Sequence, residues 1–410
     1  MDIEAIKSQF PIFASQRNLG YELHYLDNAA TAHKPQSVID AISQCYSEVY
    51  APVERGIYPL AEQATMRYVS ARQTVADFIG ADASGVCFTK GTTESLNMVA
   101  QSAVRQRLSH GDEIWVSDAE HHANFLPWLR LCQQTGATLR RIPIDPSGRM
   151  QLPDVTRAEL KKVKCVSLSL VSNVLGFYCD LDELAGFLKQ LRSEHVLTVI
   201  DAAQAAAHMP IEVADLHCDF MAFSGHKMYG PTGIGVLYIA PEQREAFEPF
   251  LLGGGMVDWV GQDIQDTQWR PGVERFEAGT PNLAGASGLT AAVQFIQAQN
   301  RTAVKSHVAR LGEHCGDAIA AFDNVSLLSE ASAWRAGIVT FAHHAIHPHD
   351  LAQVCADNGV AVRAGHHCAQ PLMQTLGYDA TVRVSFTLYN DERDIQALLE
   401  SLREAESVFT

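Results

Sequence analysis

Phe223-Ser224-Gly225-His226-Lys227-Met228-Tyr229-Gly230-Pro231-Thr232-Gly233 sets one lysine in a polar, glycine-bounded turn directly after the apolar run Phe220 to Phe223. A second apolar run, Gly235 to Ile239, follows at once. Runs joined this closely cannot be linked by a parallel crossover, so the second is expected to lie antiparallel to the first. Upstream, Val196-Leu197-Thr198-Val199-Ile200 ends in Asp201. A lysine and an acid at strand ends suit an aldehyde cofactor with a pyridine ring. The amine forms the imine, and the carboxylate keeps the ring nitrogen protonated so that the ring can accept electrons. The pair reads as a pyridoxal 5'-phosphate (PLP) site.

Working outward, the same apolar pattern recurs. Candidate strands are Val86 to Thr89, Glu113 to Ser117, Thr138 to Ile142, Cys165 to Val171, Leu197 to Ile200, Asp219 to Phe223 and Gly235 to Ile239. The segments between them suit helical crossovers, which predicts an α/β fold with a mainly parallel sheet. After about residue 290 the pattern changes to a smaller α+β unit. It has a long helical region from Gly285 to Ala321 and short strands at Gly337 to Phe341, Val360 to Arg363 and Thr381 to Phe386. A last helix is capped by Asn390 and Asp391. The expected partition is a large domain, 22–290, and a small one made of 1–21 and 291–410. The stretch from Gly253 to Gly279 reads as an irregular excursion of the large domain.

The chain has 410 residues, 47% hydrophobic and 19% charged, the composition of a well-buried globular enzyme of about two to three domains. Its formal charge of −16 disfavours nucleic acid and anionic lipid as partners. No apolar stretch is long enough to span a membrane, and the start carries acids where a signal peptide would be basic. Nine dispersed cysteines without a CxxC pair point to the cytoplasm.

Other segments add chemistry. Lys90-Gly91-Thr92-Thr93-Glu94 opens a helical pattern after a strand, where N–H groups and hydroxyls suit a phosphate. Ser224 and His226 would complete that cup, although a threonine at a helix start is also an ordinary cap. Gln204 and Asn173 lie near strand ends on the same edge. In Glu120-His121-His122-Ala123-Asn124, a histidine is placed to stack on the ring and relay protons. His343-His344-Ala345-Ile346-His347-Pro348-His349 is read as a solvated loop leading into a helix, not a metal centre. In Arg363-Ala364-Gly365-His366-His367-Cys368-Ala369-Gln370-Pro371, a thiol follows two histidines in a loop expected to be mobile, with Arg363 nearby to favour the thiolate. A His-His-Cys metal half-site or an inert thiol are the alternatives there. Arg383 is a candidate clamp for a substrate carboxylate.

These strings, with Tyr25-Leu26-Asp27-Asn28-Ala29-Ala30, Ser172-Asn173-Val174-Leu175-Gly176 and Glu277-Ala278-Gly279-Thr280-Pro281-Asn282, run in unbroken order along the chain. Together they resemble the group II cysteine desulfurases (SufS/CsdA-like) of the class V PLP-dependent aminotransferases. The resemblance implies a PLP-dependent transferase of fold type I, acting as a homodimer. Lys227 would hold PLP, Cys368 would receive sulfur from L-cysteine as a persulfide, and His121 would stack on the ring. Asp201 and Gln204 would contact that ring. Thr92, Thr93, Ser224 and His226 would form the phosphate site, with Thr280 reaching in from a second subunit. Asn173, Arg363 and Arg383 would hold the substrate. A small SufE-type protein would accept the sulfur for iron–sulfur cluster or other sulfur-cofactor assembly.

The chain departs from the family pattern at Glu54, Tyr58, Lys90, Ala202 and Phe177-Tyr178-Cys179, and the glycine-rich segment before Met256 is one residue short. Alternatives on the same scaffold are a selenocysteine lyase or another class V lyase or aminotransferase. A non-enzymatic alternative is a metal or redox sensor using His366, His367 and Cys368.

Overall fold

Runs that are mostly apolar on both sides, rather than at every second position, build the centre of the molecule. The computed structural model describes residues 1–145, 147–177, 179–329 and 336–409. A two-residue strand, β1 (His24–Tyr25), precedes a group of seven. These are β2 (Val86–Thr89), β3 (Glu113–Ser117), β4 (Thr138–Ile142), β5 (Val163–Ser169), β6 (Leu197–Asp201), β7 (Phe220–Ser224) and β8 (Gly235–Ile239). They form one sheet in the order β2-β8-β7-β6-β5-β3-β4, in which only β8 runs against its neighbours.

Both faces of this sheet are buried, which is why its inner strands are mostly apolar on both sides. On β7, Met221 and Phe223 join one hydrophobic cluster while Phe220 and Ala222 join another on the opposite side. The edge strand β4 is the exception: Thr138, Arg140 and Arg141 are exposed along it. The predicted strands correspond to β2–β8 with ends shifted by at most two residues, and the antiparallel β7–β8 pair is present.

The excursion after β8 contains the short pair β9 (Val257–Trp259) and β10 (Gln268–Trp269). Beyond it, the expected helical region is two helices, Leu283–Gln297 and Arg301–Ala320, because Asn300 caps the second through the Ala303 N–H. A four-stranded antiparallel sheet follows, from β11 (Val325–Leu327), β12 (Ile338–His343), β14 (Arg363–Gly365) and β15 (Thr381–Ser385), in the order β11-β12-β15-β14. The strand expected over Val360 to Arg363 is in fact divided. Its first part, β13 (Val360–Ala361), pairs with β1 in parallel, and Arg363 begins β14 against β15. Asp391 caps the final helix, Glu392–Phe409, through the Arg393 N–H, whereas Asn390 donates instead to Tyr25 O and Asp394.

We propose that the partition at residues 22 and 290 follows the two sheets, with residues 24–27 as a strap. β1 and the Asp27–Ser385 bridge attach that strap to the C-terminal unit. His343 supplies its Nδ1 to the Ala345 and Ile346 N–H groups, and His347 caps the helix Pro348–Asp357, so that histidine cluster serves local structure.

One glycine couples the sheet to the turn after β2. A Cβ on Gly235 would lie 2.5 Å from Gly91 Cα and 2.7 Å from the Phe223 carbonyl oxygen. Both obstacles are backbone, so Gly235→Ala is expected to destabilise the fold by about 1–3 kcal/mol and to loosen the neighbouring Gly91–Thr93 turn. Thermal denaturation and PLP retention on gel filtration would check this.

Candidate active site

The carboxyl ends of the sheet strands converge on one cavity of about 190 Å³, the place where open α/β sheets bind ligands. β2 leads into Gly91 at φ 154°, and the helix Thr92–Met98 starts there. The Thr92 N–H donates to Ser224 Oγ at 2.9 Å, and the two hydroxyls meet at 2.8 Å, joining the ends of β2 and β7. Thr92, Thr93, Ser224 and His226 all line the cavity. This end therefore presents hydroxyls and N–H groups, the donor set an anionic phosphate needs.

Lys227 closes the short turn Gly225–Lys227 after β7. The carbonyl of His226 accepts from the Ala32 N–H at 3.1 Å, the Thr31 hydroxyl at 3.2 Å and Lys34 Nζ at 3.2 Å, which fixes the backbone beside the lysine. Burial pushes the Lys227 amine down to about 8, while the Asp201 charge pulls it upward. Asp201 ends β6; its Oδ1 accepts the Ala203 N–H at 2.8 Å, and burial raises its pKa against that bond and the Lys227 charge. A buried carboxylate of this kind is stabilised by a cationic N–H donor. Gln204 also lines the cavity and donates from Nε2 to the Ala29 carbonyl at 2.8 Å.

His121 follows β3. Its Nδ1 accepts from the Ala123 N–H at 3.0 Å, so the neutral ring carries its proton on Nε2. Burial, then the charges of Lys227, His122, Arg363 and Arg383, push its pKa down to about 3.

The small sheet supplies the opposite wall. Arg363 and Arg383 stand directly across from each other in the β14–β15 register, an arrangement of like charges that costs stability without an anion between them. Arg383 is fully buried and donates from Nη1 to the Asn173 carbonyl at 2.9 Å and from Nη2 to Asp27 Oδ1 at 3.0 Å, but its Nε has no partner. Asn173 Oδ1 is likewise buried and unpartnered, because Asn173 Nδ2 is committed to the His367 carbonyl at 2.8 Å. The free atom of Asn173 is thus an acceptor, a feature its identity alone does not reveal.

Cys368, expected on a mobile loop, lies on a tight turn. His367 and Cys368 adopt φ values of 53° and 57°, a conformation costing about 1–2 kcal/mol per non-glycine residue. Hydrogen bonds hold it there: the His122 N–H to the Cys368 carbonyl at 2.7 Å, and the Ala369 N–H to the His366 carbonyl at 2.9 Å. Arg363 Nη2 donates to Cys368 Sγ at 3.3 Å. The half-buried thiol therefore stands beside the cavity, whereas Cys45, Cys87, Cys132, Cys165, Cys218, Cys315 and Cys355 are buried.

Thr280 is not in this cavity. It is exposed, between Gly279 and Pro281, which line a separate pocket with Glu54 and Arg270. Glu54 pairs with Arg270 at 2.5 Å, and Tyr178 lies outside the described residues. Residues given no role in the sequence reading, Ala29, Ala30, Ala123, Ser169, Val171 and Ala203, complete the lining. Ser169 ends β5 opposite Asp201; a consistent strand register was the available signal for it.

The unpaired Asn173 oxygen, the unpaired Arg383 Nε, the hydroxyl-lined turn and the buried Asp201 fit PLP together with an amino-acid substrate. Neutral histidines, His367 buried and the others half-buried, leave a further mark. Burial lowers His33, His208 and His226 to about 4, His121 to about 3 and His367 to about 2. The unfolded chain takes up these protons near pH 6.5, so stability is full above that value and is lost as pH falls toward 4. The melting temperature of the cofactor-free protein should drop steadily below pH 6.5; a flat profile to pH 4.5 would contradict this.

The Aminotransferase class-V family matches residues 24–398. A protein of Halalkalibacterium halodurans named "Probable cysteine desulfurase" is 41% identical across 100% of this chain and 99% of its own, and one from Vibrio cholerae with the same name is 40% identical across 99% and 98%. Among solved structures, the cysteine desulfurase CsdA (S-sulfonic acid) from Escherichia coli superposes with a TM-score of 0.88 at 37% identity, covering both chains fully. A cysteine desulfurase from Thermococcus onnurineus reaches 0.91 at 37%, covering 99% and 98%. The metal or redox sensor finds no support in these likenesses. By fold, site and full-length similarity, this chain belongs to the class-V aminotransferase family, among the cysteine desulfurases.

Proposed function

We propose that the protein removes sulfur from L-cysteine, leaving L-alanine, with PLP held on Lys227 and the sulfur received by Cys368. The observation that carries this reading is that Lys227 and Asp201 line one cavity together with Arg363, which donates to the Cys368 thiol at 3.3 Å.

PLP, when bound, supplies an electron sink for the substrate α-carbon. Thr92, Thr93, Ser224 and His226 would hold its phosphate, Asp201 and Gln204 would contact its ring, and His121 would cover one ring face. Arg363 and Arg383 face the substrate carboxylate, with the free Arg383 Nε as a donor, and Asn173 Oδ1 accepts an N–H or O–H of cofactor or substrate. Lys227 Nζ, at about 8, has a neutral fraction near neutral pH that can take the α-proton. Cys368 Sγ attacks the substrate sulfur: the carbon–sulfur bond breaks, a sulfur–sulfur bond forms, and the former sulfur-bearing carbon receives a proton from Lys227 or His121. Cysteine and one thiol thus become alanine and one persulfide, with no external oxidant.

The persulfide would pass to a small acceptor of the SufE type, for iron–sulfur cluster or other sulfur-cofactor assembly. Thr280, exposed and away from its own chain's cavity, supports a homodimer in which it completes the partner's site. Nine unpaired cysteines support a cytoplasmic location. Among the described residues no helix is long and apolar enough to cross a membrane.

PLP-loaded protein given L-cysteine and a thiol reductant should form alanine and sulfide in equal amounts. Pyruvate in place of alanine would identify a lyase instead. Turnover of selenocysteine but not cysteine would identify a selenocysteine lyase.

A further inference from the structure

Directly before His121, Glu120 is 1% exposed, and nothing in the proposed reaction uses it. Its Oε1 accepts from the Ser117 hydroxyl at 2.5 Å and the Ser169 N–H at 3.0 Å. Its Oε2 accepts from Asn124 Nδ2 at 2.7 Å and from the Ser169 hydroxyl. Asn124 Oδ1 in turn accepts from Trp128 Nε1 at 3.0 Å and the Ser167 hydroxyl at 2.5 Å.

Two of these donors cannot reverse. One is the backbone N–H of Ser169; the other is the Asn124 amide, whose orientation the Trp128 N–H fixes. Each Glu120 oxygen is therefore an obligatory acceptor, as in a carboxylate and unlike an amide. Burial and the Asp201 charge oppose ionisation and raise the group to about 7, while the Ser117, Ser169 and Asn124 hydrogen bonds favour it.

Glu120 and Asn124 open and close the turn that carries His121. The Asn124 N–H also donates to the His121 carbonyl at 2.8 Å, and the Ala123 N–H to His121 Nδ1 at 3.0 Å. Through Ser117, Ser167 and Ser169, the pair anchors this turn to the ends of β3 and β5. Ser169 itself lines the cavity opposite Asp201.

We propose that Glu120 is a positioning residue for His121: its carboxylate and the Asn124 amide clamp the turn, holding the imidazole at a fixed height above the cofactor ring. The proposal rests on the PLP reading of the cavity. Glu120→Gln keeps the size but sets an amide N–H against the Asn124 amide or the Ser169 N–H. Adding Asn124→Asp restores the missing acceptor, and the new carboxylate still accepts from Trp128 and Ser167.

The test is visible circular dichroism of the PLP-loaded protein, which reports how the ring is seated, together with kcat and KM for cysteine. Glu120→Gln should change the dichroic band at least about twofold and lower kcat about tenfold, with KM within about twofold. The double variant should recover both. A role confined to stability would lower the melting temperature and leave the band unchanged. A wild-type band and kcat in Glu120→Gln, or a double variant no better than the single one, would overturn the proposal. If Glu120→Gln fails to fold, Ser117→Ala, which removes a hydroxyl donor to Glu120 from outside the cavity, carries the test: an intermediate band supports the clamp, and an unchanged band and kcat overturn it. Wild-type protein that gains no PLP band would refute the cofactor reading itself, separately from Glu120.

Discussion

Lys227→Ala is expected to lower alanine formation from L-cysteine by about 10³-fold or more, since it removes both the attachment point for the cofactor and the group proposed to move the α-proton. The backbone at this position is held independently of the side chain, through the three donors to the His226 carbonyl. The variant should therefore fold and melt close to the wild type. Lys227→Arg sharpens the test. A guanidinium keeps the positive charge beside Asp201 but cannot lose a proton at working pH, so it should be as inactive as alanine. Steady-state alanine production, with melting curves to confirm folding, decides the matter. Activity within tenfold of wild type in either variant would contradict the assigned role.

Cys368→Ala should give a different pattern. The wall proposed to bind the cofactor belongs to the large sheet, so PLP uptake and its visible band should persist. Loss of Sγ costs Arg363 one contact of 3.3 Å on a half-buried side chain, and stability should change by less than about 1 kcal/mol. Alanine formation from cysteine should nevertheless fall by about 10²-fold or more, because the substrate sulfur then has no thiol to accept it. The buried thiols offer the reciprocal control. Cys355, whose pKa burial pushes up to about 12, packs within the main hydrophobic cluster. Cys355→Ala should lower the melting temperature and leave turnover per folded molecule unchanged. If Cys368→Ala still released sulfur from cysteine at the wild-type rate, the persulfide route would be wrong.

The large sheet was legible because both of its faces are buried: strands such as Phe220–Ser224 are apolar on both sides up to the terminal serine and stand out from the crossovers. The strap was not. β1 has only two residues, carries no periodicity, and pairs with Val360 and Ala361 more than three hundred positions later in the chain. The same pairing explains why one expected strand, Val360 to Arg363, divides in two. Lys227, Asp201, His121 and Arg383 were readable as residues at strand ends or on a strand. What local sequence could not reveal was orientation: that Asn173 presents its oxygen and not its amide nitrogen, that Arg363 faces Arg383, and that the Cys368 loop is a tight turn. Glu120 appeared in the sequence only as the neighbour of His121. Its hydrogen-bond partners are Ser117, Ser169 and Asn124, and Asn124 is in turn held by Ser167 and Trp128, residues brought together from two strands, a turn and a helix.

The most direct test of the central claim is chemical. The PLP-loaded protein is reduced with borohydride, which makes a cofactor–amine link permanent, and is then digested and its peptides analysed by mass spectrometry. A pyridoxyl group on Lys227 and on no other lysine is the predicted result. An unmodified Lys227, or a label on Lys34 or any other amine, would contradict it.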